Sequence, residues 1–200
     1  MNDTPSSLEI RIHLTNGNVE TFEQGDPAAI AEIFAKTLPQ KIFTPRNILL
    51  AGSYSLTAYA SAAIAMIELV ADEVPQWSFP LGIREIRELS KEEFWERYRP
   101  GKDHRFVREQ PRTVGEAMVS YVELELASGN HLYCEVHAEV GLQPDRLHHI
   151  NQLLSASCVF ARRRGGGFTL VNMANVARFG LHPGPPEAPK TAWPAHHKVK

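Results

Sequence analysis

The chain reads as an α+β protein of two similar small β-barrel-like units, each with one short helix, joined by a helical linker. Three observations predict this. Short apolar–polar alternations dominate both halves. An order of hairpin turn, proline-started helix, glycine turn and closing strand runs through residues 8–77 and again through 120–193. Units of about 70 residues leave bare sheet edges unless they close on themselves. The boundaries follow as a first unit at 1–81, a helical and charged linker at 82–118, a second unit at 119–182 and a Pro-rich tail at 183–200.

Leu8 to Leu14 alternates strictly, and Asn16-Gly17 then supplies two positions that tolerate positive φ, the strongest short hairpin signal. Val19 and Phe22 mark the return strand. Asp26-Pro27 opens a helix, a side-chain acceptor followed by a residue with φ preset, and Pro39 stops it after Ile30, Ile33 and Phe34. Ile48-Leu49-Leu50, a turn near Gly52-Ser53 and a run through Leu56 and Tyr59 predict further strands, closed by Ile64 to Leu69. The apolar stretch from Ile48 to Ala71 contains too many polar residues for a membrane span and is better paired as strands.

In the linker, Ser90-Lys91-Glu92-Glu93 is a capping box ahead of Phe94, Trp95 and Tyr98, and Lys102 to Thr113 reads as an exposed charged connection. The second unit begins with Val122, Leu124 and Leu126 alternating with Glu123 and Glu125. It turns at Ser128-Gly129 and returns through Leu132, Cys134 and Val136. Pro144-Asp145 starts a short helix carrying Leu147, Ile150, Leu153 and Leu154. Val159-Phe160, the Gly165-Gly166-Gly167 turn, Phe168 to Val171 and Val176 to Leu181 follow. At an offset of 112, Ile10, Ile12, Leu14 and Gly17 fall on Val122, Leu124, Leu126 and Gly129. Both units end toward a tryptophan, Trp77 and Trp193.

The alternating hairpin with Asn16-Gly17 and the closing Ala62-Ala63-Ile64-Ala65-Met66-Ile67 give each unit a resemblance to small SH3-like or Sm-like β-barrel proteins, over about 60 residues of each half. That resemblance implies closed barrels. The helix lies inside each unit, whereas Sm proteins carry theirs before the first strand, so their RNA binding is not carried over.

With 21 basic and 23 acidic residues the net charge is −2, and no global field favours nucleic acid or an anionic membrane. The polar N-terminus does not read as a secretory signal, and two cysteines form no framework, so a cytoplasmic location is expected and no membrane partner. Strand parity puts Cys134 on the face of Leu132 and Val136, away from His131 and His137, which makes it a core residue rather than a nucleophile. His148-His149, with His131, His137 and Asp145, lacks the spacing of a helical zinc site. No catalytic residue, metal or cofactor is assigned. The sharpest local feature is Arg162-Arg163-Arg164-Gly165-Gly166-Gly167-Phe168: three guanidinium groups, flexible amides and an aromatic ring. Arg162, Arg163, Arg164, Gly166 and Phe168 are therefore the candidate ligand-binding residues. The expected function is non-catalytic binding or regulation through a protein partner or a second copy. A nucleic-acid or polyanion binder using the arginine turn is the alternative, and an enzyme with a site between the units is the second.

Overall fold

A computed structural model describes residues 7–72, 74–75, 77–80, 82–98, 117–139, 150–182, 184 and 190–193. The first half supplies β1 (Leu8–Leu14), β2 (Val19–Gln24), α1 (Pro27–Lys36), β3 (Asn47–Ala51), β4 (Leu56–Ala60), a 3₁₀ turn (Ser61–Ala63) and β5 (Ile64–Val70). β6 (Ile83–Leu89) and α2 (Lys91–Arg97) follow. The rest is β7 (Ala117–Leu126), β8 (His131–Glu139), β9 (Cys158–Arg162), β10 (Phe168–Asn172), a second 3₁₀ turn (Met173–Asn175) and β11 (Val176–His182). Residues 150–155 are helical, within the short helix expected from Pro144, whose start lies outside the described residues.

The local signals act as their chemistry dictates. Asp26 caps α1 by accepting from the Ala28 amide, with Pro27 in the first turn. Ser90 and Glu93 form both halves of the capping box on α2. Gly17 and Gly129 take φ of 88° and 85° in equivalent hairpin turns. The run from Ile48 to Ala71 folds into β3, β4 and β5, and no helix among the described residues is long and apolar enough to cross a membrane.

The fold class must be corrected: the described residues are mostly β, with only short helices, rather than α+β. There are not two closed barrels: nine strands form one open sheet in the order β11-β7-β8-β6-β9-β10-β5-β1-β2, with β3-β4 as a separate two-stranded sheet. All pairings are antiparallel except β6 with β9. One edge of each unit is satisfied between the halves instead of by closure. β10 lies along β5, with Phe168 opposite Leu69 and Val171 opposite Met66, and β6 fills the place between β8 and β9. The expected helical linker thus starts with a central strand. Its apolar residues, Ile83, Ile86 and Leu89, come every third position and match no strand period. They are used on both faces: Ile86 joins one core and Leu89 another.

Within each half the pairing pattern is the same 112 residues apart. Leu8 faces Gln24 and Ser120 faces Val136; Ile10 faces Leu69 and Val122 faces Leu181. β1 leans on its closing strand β5 with a register shift at Leu14, as β7 does on β11 at Val176. The Thr15 amide donates to the Ala63 carbonyl, and the Ala127 amide to that of Asn175.

The cores lie on opposite faces of the sheet. One gathers Ile10 and Ile12 of β1, Ile30 and Phe34 of α1, and Phe160, Phe168 and Leu170 of the second half. The other gathers Val122, Leu124, Leu126, Leu132, Cys134 and Val136 with Ala65 and Met66 of the first half. α2 closes a third cluster of Leu89, Phe94, Tyr98 and Tyr133. Trp77 stacks on Phe168 at 4.7 Å between centroids, whereas Trp193 is 92% exposed among the described residues.

Candidate functional site

The arginine turn is held by carboxylates. Arg162 lies 3.3 Å from Glu85 and sits over the Phe168 ring at 5.3 Å. Arg163 turns inward to Glu68 at 3.4 Å, and Arg164 reaches Glu93 at 3.3 Å. The three guanidinium groups therefore serve three different acidic partners instead of forming one open cradle. Phe168 is fully buried and offers no face to a base. Gly166 and Gly167 take φ of 90° and 92°, and a Cβ on Gly167 would lie 1.8 Å from the Leu69 carbonyl oxygen. The glycines let the turn press on β5.

Sequence reasoning missed the acidic side of this cluster. On the sheet face opposite the first core, Glu68 of β5 meets Arg11 at 3.3 Å and His13 at 3.6 Å from β1, besides Arg163. Burial pushes the Glu68 carboxyl up, but His13, Arg163 and Arg11 together hold it below the usual carboxylate range. Glu88 of β6 accepts from the Thr169 hydroxyl at 3.2 Å, and there burial prevails and raises the carboxyl. Parity could have placed His13 with Arg11 on one face. Glu68 lay in a run read as apolar, and Glu88 in a segment without strand period.

Glu123 and Glu125, expected outward, lie opposite the second core, yet Glu123 is buried, 3.0 Å from Arg178 and 3.6 Å from His131. His137 contacts Glu135 at 2.7 Å. No group of three potential metal ligands occurs among the described residues; Asp145, His148 and His149 lie outside them. Cys134 and Cys158 are buried free thiols whose ionisation burial pushes far up, which disfavours the thiolate. A cavity of about 280 Å³ between the Pro80–Ile86 stretch and the 150–160 segment is lined by Ile83, Leu153, Cys158 and Phe160. Among the described residues, no carboxylate, histidine, lysine or arginine lines it.

The surface that stands out is the β3–β4 hairpin. Between Asn47 and Ala60 there is no charged residue. Ile48, Leu50 and Tyr59 turn toward the first core, and the Tyr59 hydroxyl donates to Glu20 of β2. Burial and that carboxylate push Tyr59 up to about 12. The opposite side shows Leu49, 58% exposed, and Leu56, 68% exposed, with Ala51, Ala58 and Ala60; Tyr54 stands clear at the tip. The hairpin is thus apolar on both faces, and neither outer strand edge is paired among the described residues. Edge strands are normally blunted with charge, as β2 is by Glu20 and Glu23.

Compared with known proteins, the chain matches no family model, no curated protein and no solved structure.

Proposed function

We propose that the protein is a non-catalytic binding protein that acts through protein–protein contacts at the β3–β4 hairpin. The observation that carries this reading is the uncharged hairpin itself, with Leu49, Leu56 and Tyr54 in solvent beside unpaired backbone groups. A polypeptide that adds a strand there satisfies the backbone and covers the leucines in one step. In this reading the chain is a tandem duplication of one strand-pair, helix, strand-pair and closing-strand unit, supported by the pairing shared at an offset of 112. Two buried free thiols suit the reducing cytoplasm.

A polyanion at the arginine turn would have to displace Glu85, Glu68 and Glu93. A site between the halves would have to open the β5–β10 ladder. The test is affinity capture from the source cells with tagged wild type and with the double variant Leu49→Asp/Leu56→Asp. Both positions are exposed, so the variant retains the wild-type circular dichroism and loses the captured proteins. An unchanged set of captured proteins removes the hairpin from the reading.

A further inference from the structure

The contact that joins the two halves is heterologous: β10, the fourth strand of the second unit, lies on β5, the closing strand of the first. Each unit therefore has a donor edge on its fourth strand and an acceptor edge on its closing strand. Inside one chain a single donor–acceptor pair is used. Among the described residues, the first unit's donor, β4, and the second unit's acceptor, β11, are left over: β11 ends the nine-stranded sheet, and β4 pairs with β3 alone.

Burial records the difference position by position. On β10, Phe168, Thr169, Leu170 and Val171 are all 0% exposed, while on β4, 112 residues earlier, Leu56 and Ala58 are exposed. On β5, Ala65 and Met66 are buried, while their counterparts on β11, Ala177 and Arg178, are exposed. Leu56, Ala58, Ala177 and Arg178 are thus exposed where their counterparts at the internal contact are covered, whereas Tyr59 is buried against the first core and Phe179 and Leu181 are half-buried.

Resting on the protein-binding reading above, we propose that the hairpin's partner is a second copy of this chain. The β4 edge of one copy docks on the β11 edge of the next, in the register already used between β10 and β5. Carrying that register across places Leu56 opposite Leu181, Thr57 opposite Gly180, Ala58 opposite Phe179 and Tyr59 opposite Arg178 of the neighbouring copy. Neither edge opposes like charges: β4 has none and β11 carries Arg178 alone. β2, the other end of the sheet, is the poorer partner because Glu20 and Glu23 guard it. A donor on one surface and an acceptor on another propagate head to tail, so copies close into a ring or extend as a filament.

The contact between copies is weaker than the one within the chain. Asn172 and Asn175 lock the internal joint by donating to the Ser61, Ala62 and Ile64 carbonyls, and Arg163 clamps Glu68. The corresponding positions of the first unit are Ala60 and Ala63, and Gly180 stands in the place of Glu68. Assembly is therefore reversible and concentration-dependent.

The experiment is sedimentation velocity on the full chain over a wide concentration range, with Leu56→Asp and Ala177→Asp variants. Wild type is expected to shift from one chain toward larger species as concentration rises. Each variant alone stays a single chain with unchanged circular dichroism. An equimolar mixture of the two regains one intact contact and forms a two-chain species that grows no further. Wild type that remains a single chain throughout overturns self-assembly. If hairpin-dependent capture persists in that case, the protein-binding reading survives without it. Pairing by either variant alone, or an inert mixture beside an associating wild type, overturns the β4–β11 assignment.

Discussion

Glu68 and Glu88 sit on the same face of the sheet yet shift in opposite directions: His13, Arg163 and Arg11 outweigh burial at Glu68, whereas at Glu88 burial outweighs the pull of Arg163, Arg164 and the Thr169 hydroxyl. Glu68, 8% exposed, gathers Arg11, His13 and Arg163. Its depressed carboxyl gives stability that is complete above the ordinary carboxylate range and is lost as pH falls through the folded value. Glu68→Gln removes the carboxylate that His13 and Arg163 share, leaving Arg11 its pair with Glu9, and is expected to cost about 3 kcal/mol in denaturant unfolding at pH 7, with a flatter acid limb. Glu88 has the reverse sign. Its raised carboxyl means that ionisation opposes folding, so Glu88→Gln raises the thermal midpoint at pH 7. The gain shrinks as pH falls and vanishes below about pH 4, where the acid is protonated in both states. Equal midpoints for Glu88→Gln and wild type at pH 7 would contradict the burial argument. At Gly167, both the φ of 92° and the Leu69 carbonyl forbid a Cβ, so Gly167→Ala should cost roughly 3 kcal/mol or more by the same unfolding assay.

At the level of elements, legibility in the sequence followed period. β1 and β7 alternate cleanly, so their inward residues could be named: of Ile10, Ile12, Leu14, Val122, Leu124 and Leu126, all are buried except Leu14, which is half-buried where the β1–β5 register shifts. Leu124, 1% exposed, should lose about 2–5 kcal/mol on truncation to alanine. α1 and α2 were legible from their caps. β6 was not, because a strand crossing between cores on opposite faces has apolar residues on both sides and no period of two. Ile86, 3% exposed in the second core, tests its rank: Ile86→Ala should cost as much as a core truncation, about 2–5 kcal/mol, where a linker residue would cost under about 0.5 kcal/mol. The candidate site was half legible. Three arginines in a row announce themselves, but their partners Glu85, Glu68 and Glu93 come from three other elements, and only the fold brings them within reach.

Across the whole molecule, the order of elements in each half could be read from the chain, whereas the way the halves join could not. Small β units need their edges satisfied, and closing each unit is one solution. Pairing β10 with β5 and inserting β6 is another, decided by contacts such as Gly167 on Leu69 and Asn172 on Ile64 that follow no local pattern. This arrangement has a thermodynamic consequence. The first core contains Cys158, Phe160, Phe168 and Leu170 from the second half, and the second core contains Ala65 and Met66 from the first. Neither half can unfold without stripping apolar surface from the other. Calorimetry at a concentration where the chain is single is therefore expected to show one transition, with calorimetric and van't Hoff enthalpies in agreement. Asn172→Ala, which removes two buried hydrogen bonds between the halves, should lower that single transition and not split it. Two resolved transitions in wild type would mean that each half carries its own core, contrary to the shared packing of Phe160, Phe168 and Leu170 with Ile10 and Ile12.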